Sequence, residues 1–183
     1  MIGATATLSI TFTGWWLGGT GGSGKGDLDV VAYRDQWGCP ALPMTQIKGP
    51  LRETADRFWC NDKVLHWFGS EGSGGQASLR FSGDAGLPED KARWFHVNHA
   101  ARATLFSAIR STALTNGVAK SNTLRTIEVA IPCTISRNIT WVGDEEPEEW
   151  WKDIDQLCAL TLAFGRFKND GIGRAIAKCA GPK

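Results

Sequence analysis

The distribution of glycine constrains this chain more than any other feature. Gly18-Gly19-Thr20-Gly21-Gly22-Ser23-Gly24-Lys25-Gly26 places six glycines in nine residues soon after an alternating segment. In that segment, Ala4 to Phe12, Thr7, Ser9 and Thr11 alternate with Leu8, Ile10 and Phe12, the period-two pattern of a half-buried strand. Further glycine-rich loops fall at Phe68 to Gly75 and Gly165 to Gly171. Glycine tolerates positive φ and carries no side chain, so such loops bend sharply or lie close to a ligand. The elements between these loops then set the fold class.

Val30 to Tyr33 is a short extended run, and Trp37-Gly38-Cys39-Pro40 is a turn. Ile47 to Trp59 reads as a helix, because Ile47, Leu51, Ala55 and Phe58 recur at helical spacing. Thr45 is placed to cap it, and Pro50 falls in the first turn, where it is tolerated. Ala77 to Ser82 is a short strand. Asp84 to Asn98 is polar and irregular, with Trp94 and Phe95 as anchors to the core. Ala100 to Ser111 fits strand or helix equally, Leu114 to Ser121 is a turn-rich insertion, and Thr123 to Cys133 is a strand ending at Pro132. Glu148 to Phe164 is the clearest helix. Its acidic start suits the helix dipole, and Trp151, Ile154, Leu157, Cys158 and Leu162 share one face. Ile172 to Cys179 closes the chain as a strand. The order βαββαβ with insertions is the ferredoxin-like arrangement, an α+β fold. We read residues 1–183 as one domain.

At 42% hydrophobic and 21% charged, the composition is that of a soluble globular protein. The net charge of +1 hides a strong segregation. Lys91 to Trp141 holds seven basic residues against Glu128 alone, and Val142 to Gln156 holds seven acids against Lys152. One basic face and one acidic patch are therefore expected. The five cysteines, Cys39, Cys60, Cys133, Cys158 and Cys179, form no CxxC pair, which fits reduced packing thiols. No run has the length of a signal or of a membrane span, and the expectation is a cytoplasmic protein with no membrane partner.

Gly19-x4-Gly24-Lys25 is most of a nucleotide-binding P-loop, but Gly26 stands where Ser or Thr must hold Mg²⁺. Asp27 and Asp29 follow where phosphate would sit, and no helix opens there. Nucleotide binding is therefore rejected. His96 and His99 lie three apart but lack further ligands at zinc-like spacing. Trp15 and Trp16 flank the glycine loop, where packing is favoured over base stacking.

Four segments together resemble the RAMP superfamily of CRISPR proteins. The first is the glycine-rich loop leading into Leu28-Asp29-Val30-Val31-Ala32-Tyr33-Arg34-Asp35. The second is Gly38-Cys39-Pro40-Ala41-Leu42-Pro43-Met44-Thr45-Gln46-Ile47-Lys48-Gly49-Pro50-Leu51-Arg52. It keeps the family's Pro40, Pro43, Lys48, Gly49, Leu51 and Arg52, and departs at Met44 and Gln46. The third is Gly117 to Glu128. The fourth is the loop Phe164 to Arg174, with Gly165, Gly171, Gly173 and Arg174 in the family's spacing.

The resemblance is closest to the repeated backbone subunit of type III effector complexes. It implies a subunit that binds CRISPR RNA and polymerises on it with copies of itself and other effector subunits, facing a target RNA or DNA. It implies a thumb hairpin at about 110–126, with Arg110, Asn116, Lys120 and Arg125 toward RNA. Lys25, Thr45, Lys48, Arg52, Arg166, Lys168 and Arg174 are the other expected RNA contacts. Lys48 and Arg52, four apart, can face one phosphate track. Thr45 and its neighbouring amides offer an anion site. Asp29, with Asp27 as alternate, matches the loop aspartate tied to metal-dependent cleavage of target RNA, and would engage Mg²⁺ or another divalent cation. Asp35 is expected to fix the turn after it. Two readings stay open: an endoribonuclease acting through Asp29, and a structural or capping subunit of a related, including DNA-targeting, complex. A guide-processing nuclease using a histidine ranks below both, since no histidine lies in a matched motif.

Overall fold

The computed structural model describes residues 3–19, 28–70, 76–111, 114–115, 118–119 and 125–182. The alternation in the first segment becomes β1 (Thr5–Phe12), where Ala6, Leu8, Ile10 and Phe12 are buried and Thr5, Thr7 and Thr11 are exposed. After a long loop come α1 (Thr45–Phe58), α2 (Asn61–Phe68) and the short β2 (Leu79–Phe81). Next are α3 (Glu89–Val97), α4 (His99–Ala103), β3 (Phe106–Ser111), β4 (Leu114–Thr115), β5 (Val118–Ala119) and β6 (Arg125–Ala130). β7 (Thr134–Trp141), α5 (Trp150–Leu160) and β8 (Ala175–Ala180) complete the chain.

The main sheet is antiparallel with strand order β2-β7-β1-β8. Taking β1, α1, β2, β7, α5 and β8 in turn gives the βαββαβ connectivity, so the fold is ferredoxin-like. The register places Ala6, Leu8 and Ile10 beside Ala177 and Cys179 on one face, with Ile135 and Ile139. Helices α1 and α5 cover this face through Ile47, Leu51, Ala55, Ile154, Leu157 and Cys158, all within the main core. Thr54 and Thr161 join the two helices by a buried hydroxyl pair at 2.8 Å. The opposite face is polar. Its cross-strand partners are Thr5 with Thr140, Thr7 with Asn138 and Thr11 with Thr134.

Several expectations change. The third strand of the sheet is β7, not the Thr123 to Cys133 run. That run does contain a strand, β6, but β6 pairs with β3 in a separate two-stranded ladder. β7 escaped notice because Arg137 breaks its apolar face: the register sets it opposite Leu8, yet it is exposed. Asp84 to Asn98 is not irregular throughout, since α3 occupies its second half. There Phe95 packs on a small core while Trp94 is 55% exposed. Ala100 to Ser111 is helix first and strand after. α5 is shorter than expected at both ends, buries Trp150 rather than Trp151, and leaves Leu162 73% exposed beyond it.

The cysteines are free thiols. Burial pushes the Cys133 thiol up to about 11 and the Cys179 thiol up to about 12, so both stay protonated packing groups. Among the described residues no helix is long and apolar enough to cross a membrane.

Three backbone segments cross near α1, and glycines permit the crossing. A Cβ on Gly18 would stand 2.1 Å from the Ala41 carbonyl oxygen. A Cβ on Gly165, which has φ +90°, would stand 2.5 Å from the Leu17 carbonyl oxygen. Gly49 differs: it lies exposed within α1 with nothing within 4 Å of a Cβ. Gly18→Ala is expected to lose about 2 kcal/mol of stability and Gly165→Ala about 3 kcal/mol or more, from the clash and, at Gly165, the added left-handed strain. Gly49→Ala is expected to gain about 0.5–1 kcal/mol from helix propensity. Urea denaturation of the three variants checks the order.

Candidate functional site

The site grows out of that crossing. The Leu17 carbonyl accepts the Arg166 amide at 2.8 Å, and the Gly18 carbonyl accepts the Tyr33 amide at 2.6 Å. Gly19 exchanges two hydrogen bonds with the Gln46 side chain: its amide donates to Oε1 at 3.1 Å and its carbonyl accepts from Nε2 at 2.7 Å. The aliphatic stem of Arg166 lies over Gly19. The first glycine-rich loop, the start of α1 and the C-terminal loop therefore meet at one place. Gln46, one of the two positions at which the segment departs from the family pattern, is the side chain that ties two of them.

Residues 28–32 then run beside β6. Val30 bridges Ile127 in parallel register, and the Val30 carbonyl accepts the Glu128 amide at 2.9 Å. Leu17, Ala32, Ile127 and Val129 form a second core beneath the loops. Arg34 makes a bidentate pair with Glu128 at 2.8 and 2.9 Å and stacks over Phe106 at 4.0 Å. Glu128 also accepts the Ala32 amide at 3.0 Å. This part-buried latch joins the loop to the root of the β3–β6 hairpin. As expected, Asp35 holds its turn, accepting the amides of Trp37 and Cys39 at 2.9 Å each, while burial raises its pKa.

Asp29 is exposed beside the hairpin root. Its Oδ2 accepts the Thr126 amide at 2.7 Å, and its own amide donates to the Thr126 carbonyl at 2.9 Å. Among the described residues no cluster of three His, Cys, Asp or Glu could hold a metal ion. Asp29 offers one carboxylate here, outside any such cluster among the described residues.

Arg125, next to Thr126, and Arg166 line one cleft of about 580 Å³ together with Trp15, Phe167 and Asp170. Neither arginine has an acidic partner among the described residues. The other expected cations sit elsewhere. On α1, at about 100° per residue, Gln46 and Glu53 take the flank toward the two loops, and Lys48 and Arg52 take the other. Lys48 lines a depression at the β2 edge with Arg80, a cation that sequence reading missed. Burial, then Arg52, lowers the Lys48 pKa. Lys168 is held by Glu53 at 2.5 Å, which pulls the Glu53 pKa down. Arg110 pairs with Thr126 on the hairpin face opposite Arg125. Arg174 is exposed at the end of the C-terminal loop.

Thr45 does not cap α1. It is the first helical residue, Met44 precedes it, and no side chain caps the helix. The anion at this N-terminus is the chain's own: Asp84 accepts the Met44 amide at 3.2 Å and the Tyr33 hydroxyl. Sequence reading missed it because Asp84 is forty residues away. Lys25, Asp27, Asn116 and Lys120 lie outside the described residues.

No curated protein sequence matches the chain. Among solved structures, one of the type III-B Cmr-beta complex bound to cognate target RNA contains a chain similar in fold at TM-score 0.66 and 18% identity. The match covers 98% of this chain and 59% of that one. A chain of the Cmr-beta complex in its apo state matches at TM-score 0.63 and 14% identity, over 98% of both. Residues 10–176 match the family model of the RAMP superfamily. From the crossing loops to the closing strand, this chain belongs to the RAMP superfamily.

Proposed function

We propose that the chain is a guide-RNA-binding subunit of a type III CRISPR effector complex, working in the cytoplasm beside copies of itself and other subunits. One observation carries this reading: the two loops and the start of α1 meet at Gly19, and beside that crossing Arg125 and Arg166 line one cleft at the hairpin root, with Asp29 bonded to Thr126 next to Arg125. The two arginines meet phosphate there. The β3–β6 hairpin, with β4 and β5 beyond it, takes the part of the thumb that separates stretches of guide. Lys48 and Arg80 form a second, separate basic patch at the β2 edge, with Arg52 on the same flank of α1 as Lys48. The fold likeness to chains of Cmr-beta complexes supports the same assignment.

Within this reading Asp29 acts on target RNA. Its backbone-held carboxylate stands ready to position a hydrated Mg²⁺ or to orient a ribose 2′-hydroxyl. Such an ion supplies charge neutralisation at the scissile phosphate. A non-catalytic subunit is the second reading, favoured because Asp29 belongs to no cluster of three metal-binding side chains among the described residues.

Three measurements test this proposal. Arg125→Ala with Arg166→Ala is expected to weaken binding of single-stranded RNA and flatten its log-affinity against log-salt slope by about 1.4, two single-strand phosphate contacts. An unchanged slope in filter binding removes both from the interface. Asp29→Asn keeps an acceptor for the Thr126 amide but loses the charge, so target cleavage in the reconstituted complex should fall about 100-fold or more at unchanged guide affinity. Equal cleavage makes the second reading correct. Lys48→Met should weaken RNA binding while leaving stability equal or higher by up to about 1 kcal/mol. The sign follows from the lowered pKa: protonation of Lys48 favours the unfolded chain, so wild-type stability should rise as pH climbs through the folded-state pKa, and this rise should vanish in the variant.

A further inference from the structure

A pocket of about 420 Å³ between the end of β7 and the residues before β2 takes no part in the site at the hairpin root. Its lining includes His66, Ser78, Gly143, Asp144 and Glu145. Ser78 is 4% exposed; its amide donates to the His66 carbonyl at 3.1 Å, and its hydroxyl lies 3.4 Å from His66 Nε2. The ring of Trp141, 1% exposed, lies 5.8 Å from that of His66 between centroids. Among the described residues, the Trp141 indole N–H is the one buried side-chain polar group without a hydrogen-bond partner. It points to the pocket at Gly143, where a Cβ would stand 3.1 Å from Nε1 and 2.5 Å from Ser78 Oγ. Because Gly143 has no side chain, the indole donor and the hydroxyl stay within reach of the pocket. A buried donor left unpaired costs free energy that an arriving acceptor recovers.

The mouth of the pocket is acidic. Asp144 and Glu145 are exposed, and neither pairs with a cation among the described residues. Glu146, the next carboxylate, is already engaged: it accepts the Ala4 amide at 3.0 Å and the Trp150 indole N–H at 2.9 Å. The pocket therefore asks its occupant for an acceptor inside and a cation at the mouth.

We infer that this pocket receives a basic segment of a partner polypeptide, with a Lys or Arg side chain at Asp144 and Glu145 and a main-chain carbonyl turned to Ser78 and Trp141. A polypeptide carries both groups within one residue. Nucleic acid brings acceptors, but the two carboxylates repel its phosphates. A polyamine answers the carboxylates and brings no acceptor. The fold also leaves room for an extended chain. β2, which begins beside the pocket, is an edge strand of the main sheet. The opposite edge, β8, is closed: Asp155 accepts the Cys179 amide at 2.8 Å, and the Leu162 carbonyl accepts the Ala175 amide at 3.0 Å. A partner's main chain can run along β2 while its cationic side chain enters the pocket. This site is separate from the arginine cleft and does not depend on RNA binding.

The test titrates a capped peptide of about eight residues, alternating glycine and lysine, into isotope-labelled full-length protein. The readout is the indole N–H resonance of Trp141 by NMR. Its loss in Trp141→Phe assigns it, and sequential assignment of the wild type does so should that variant not fold. The lysine peptide should move this resonance downfield in a saturable way. Asp144→Asn with Glu145→Gln should weaken the peptide about 10-fold at an unchanged thermal midpoint, since both side chains are exposed. The matching glycine–glutamate peptide, spermidine, and sodium chloride at equal ionic strength should leave the resonance in place. A resonance unmoved by the lysine peptide overturns the inference, as does equal movement with the glutamate peptide or with salt. Equal movement with spermidine gives the pocket to a free polyamine and also overturns it. Undiminished affinity in the double variant removes the carboxylates from recognition and overturns the assignment to a basic segment.

Discussion

Everything at the site depends on one steric constraint: the chain crosses itself at Leu17-Gly18-Gly19 with less than a methyl group to spare. Ala41 and Leu17 carbonyls lie where side chains on Gly18 and Gly165 would go. Because backbone meets backbone directly, the two loops and the start of α1 are held by main-chain hydrogen bonds and the Gln46 amide. Close contact of this kind leaves little freedom for the loops to drift apart. The glycines are thus needed where the segments cross.

A second layer transmits that rigidity to the hairpin. The Arg34–Glu128 pair, with its bidentate geometry and its Phe106 stack, fastens the extended segment after the first loop to β6. Asp29 directly precedes Val30, which bridges Ile127 of β6, so the same segment sets where its carboxylate lies. The same latch fixes Arg125 and Ile127 against the cleft. Fold, charge and cavity are coupled through a few part-buried bonds rather than through the main core, which lies on the far side of the loops under α1 and α5.

Much of this was legible in the sequence where the signal is local. The period-two pattern of β1, the helical spacing of Ile47, Leu51 and Ala55, and the Asp35 turn all depend on neighbours within a few residues. The ferredoxin-like order followed from counting such elements. Long-range pairing was not legible. β6 reads as well as β7 as a sheet strand, and only tertiary pairing sends one to the sheet and the other to the hairpin. Asp84 at the α1 N-terminus, Glu53 on Lys168 and Glu128 on Arg34 are likewise partners set by the folded chain. The basic residues were found by type, but their division between the cleft, the β2 edge and the two hairpin faces required the register. Trp15 and Trp16 show the limit most clearly: adjacent and identical, one packs in the core and the other faces the cleft.

The most direct measurement is photo-crosslinking of thiouridine-substituted RNA to the intact protein, with adducts mapped by mass spectrometry. If the crossing loops and the hairpin root form the RNA surface, adducts concentrate on peptides carrying Trp15, Arg125 and Phe167. Adducts concentrated instead on the open sheet face, around Thr7, Asn138 and Lys178, would contradict the account.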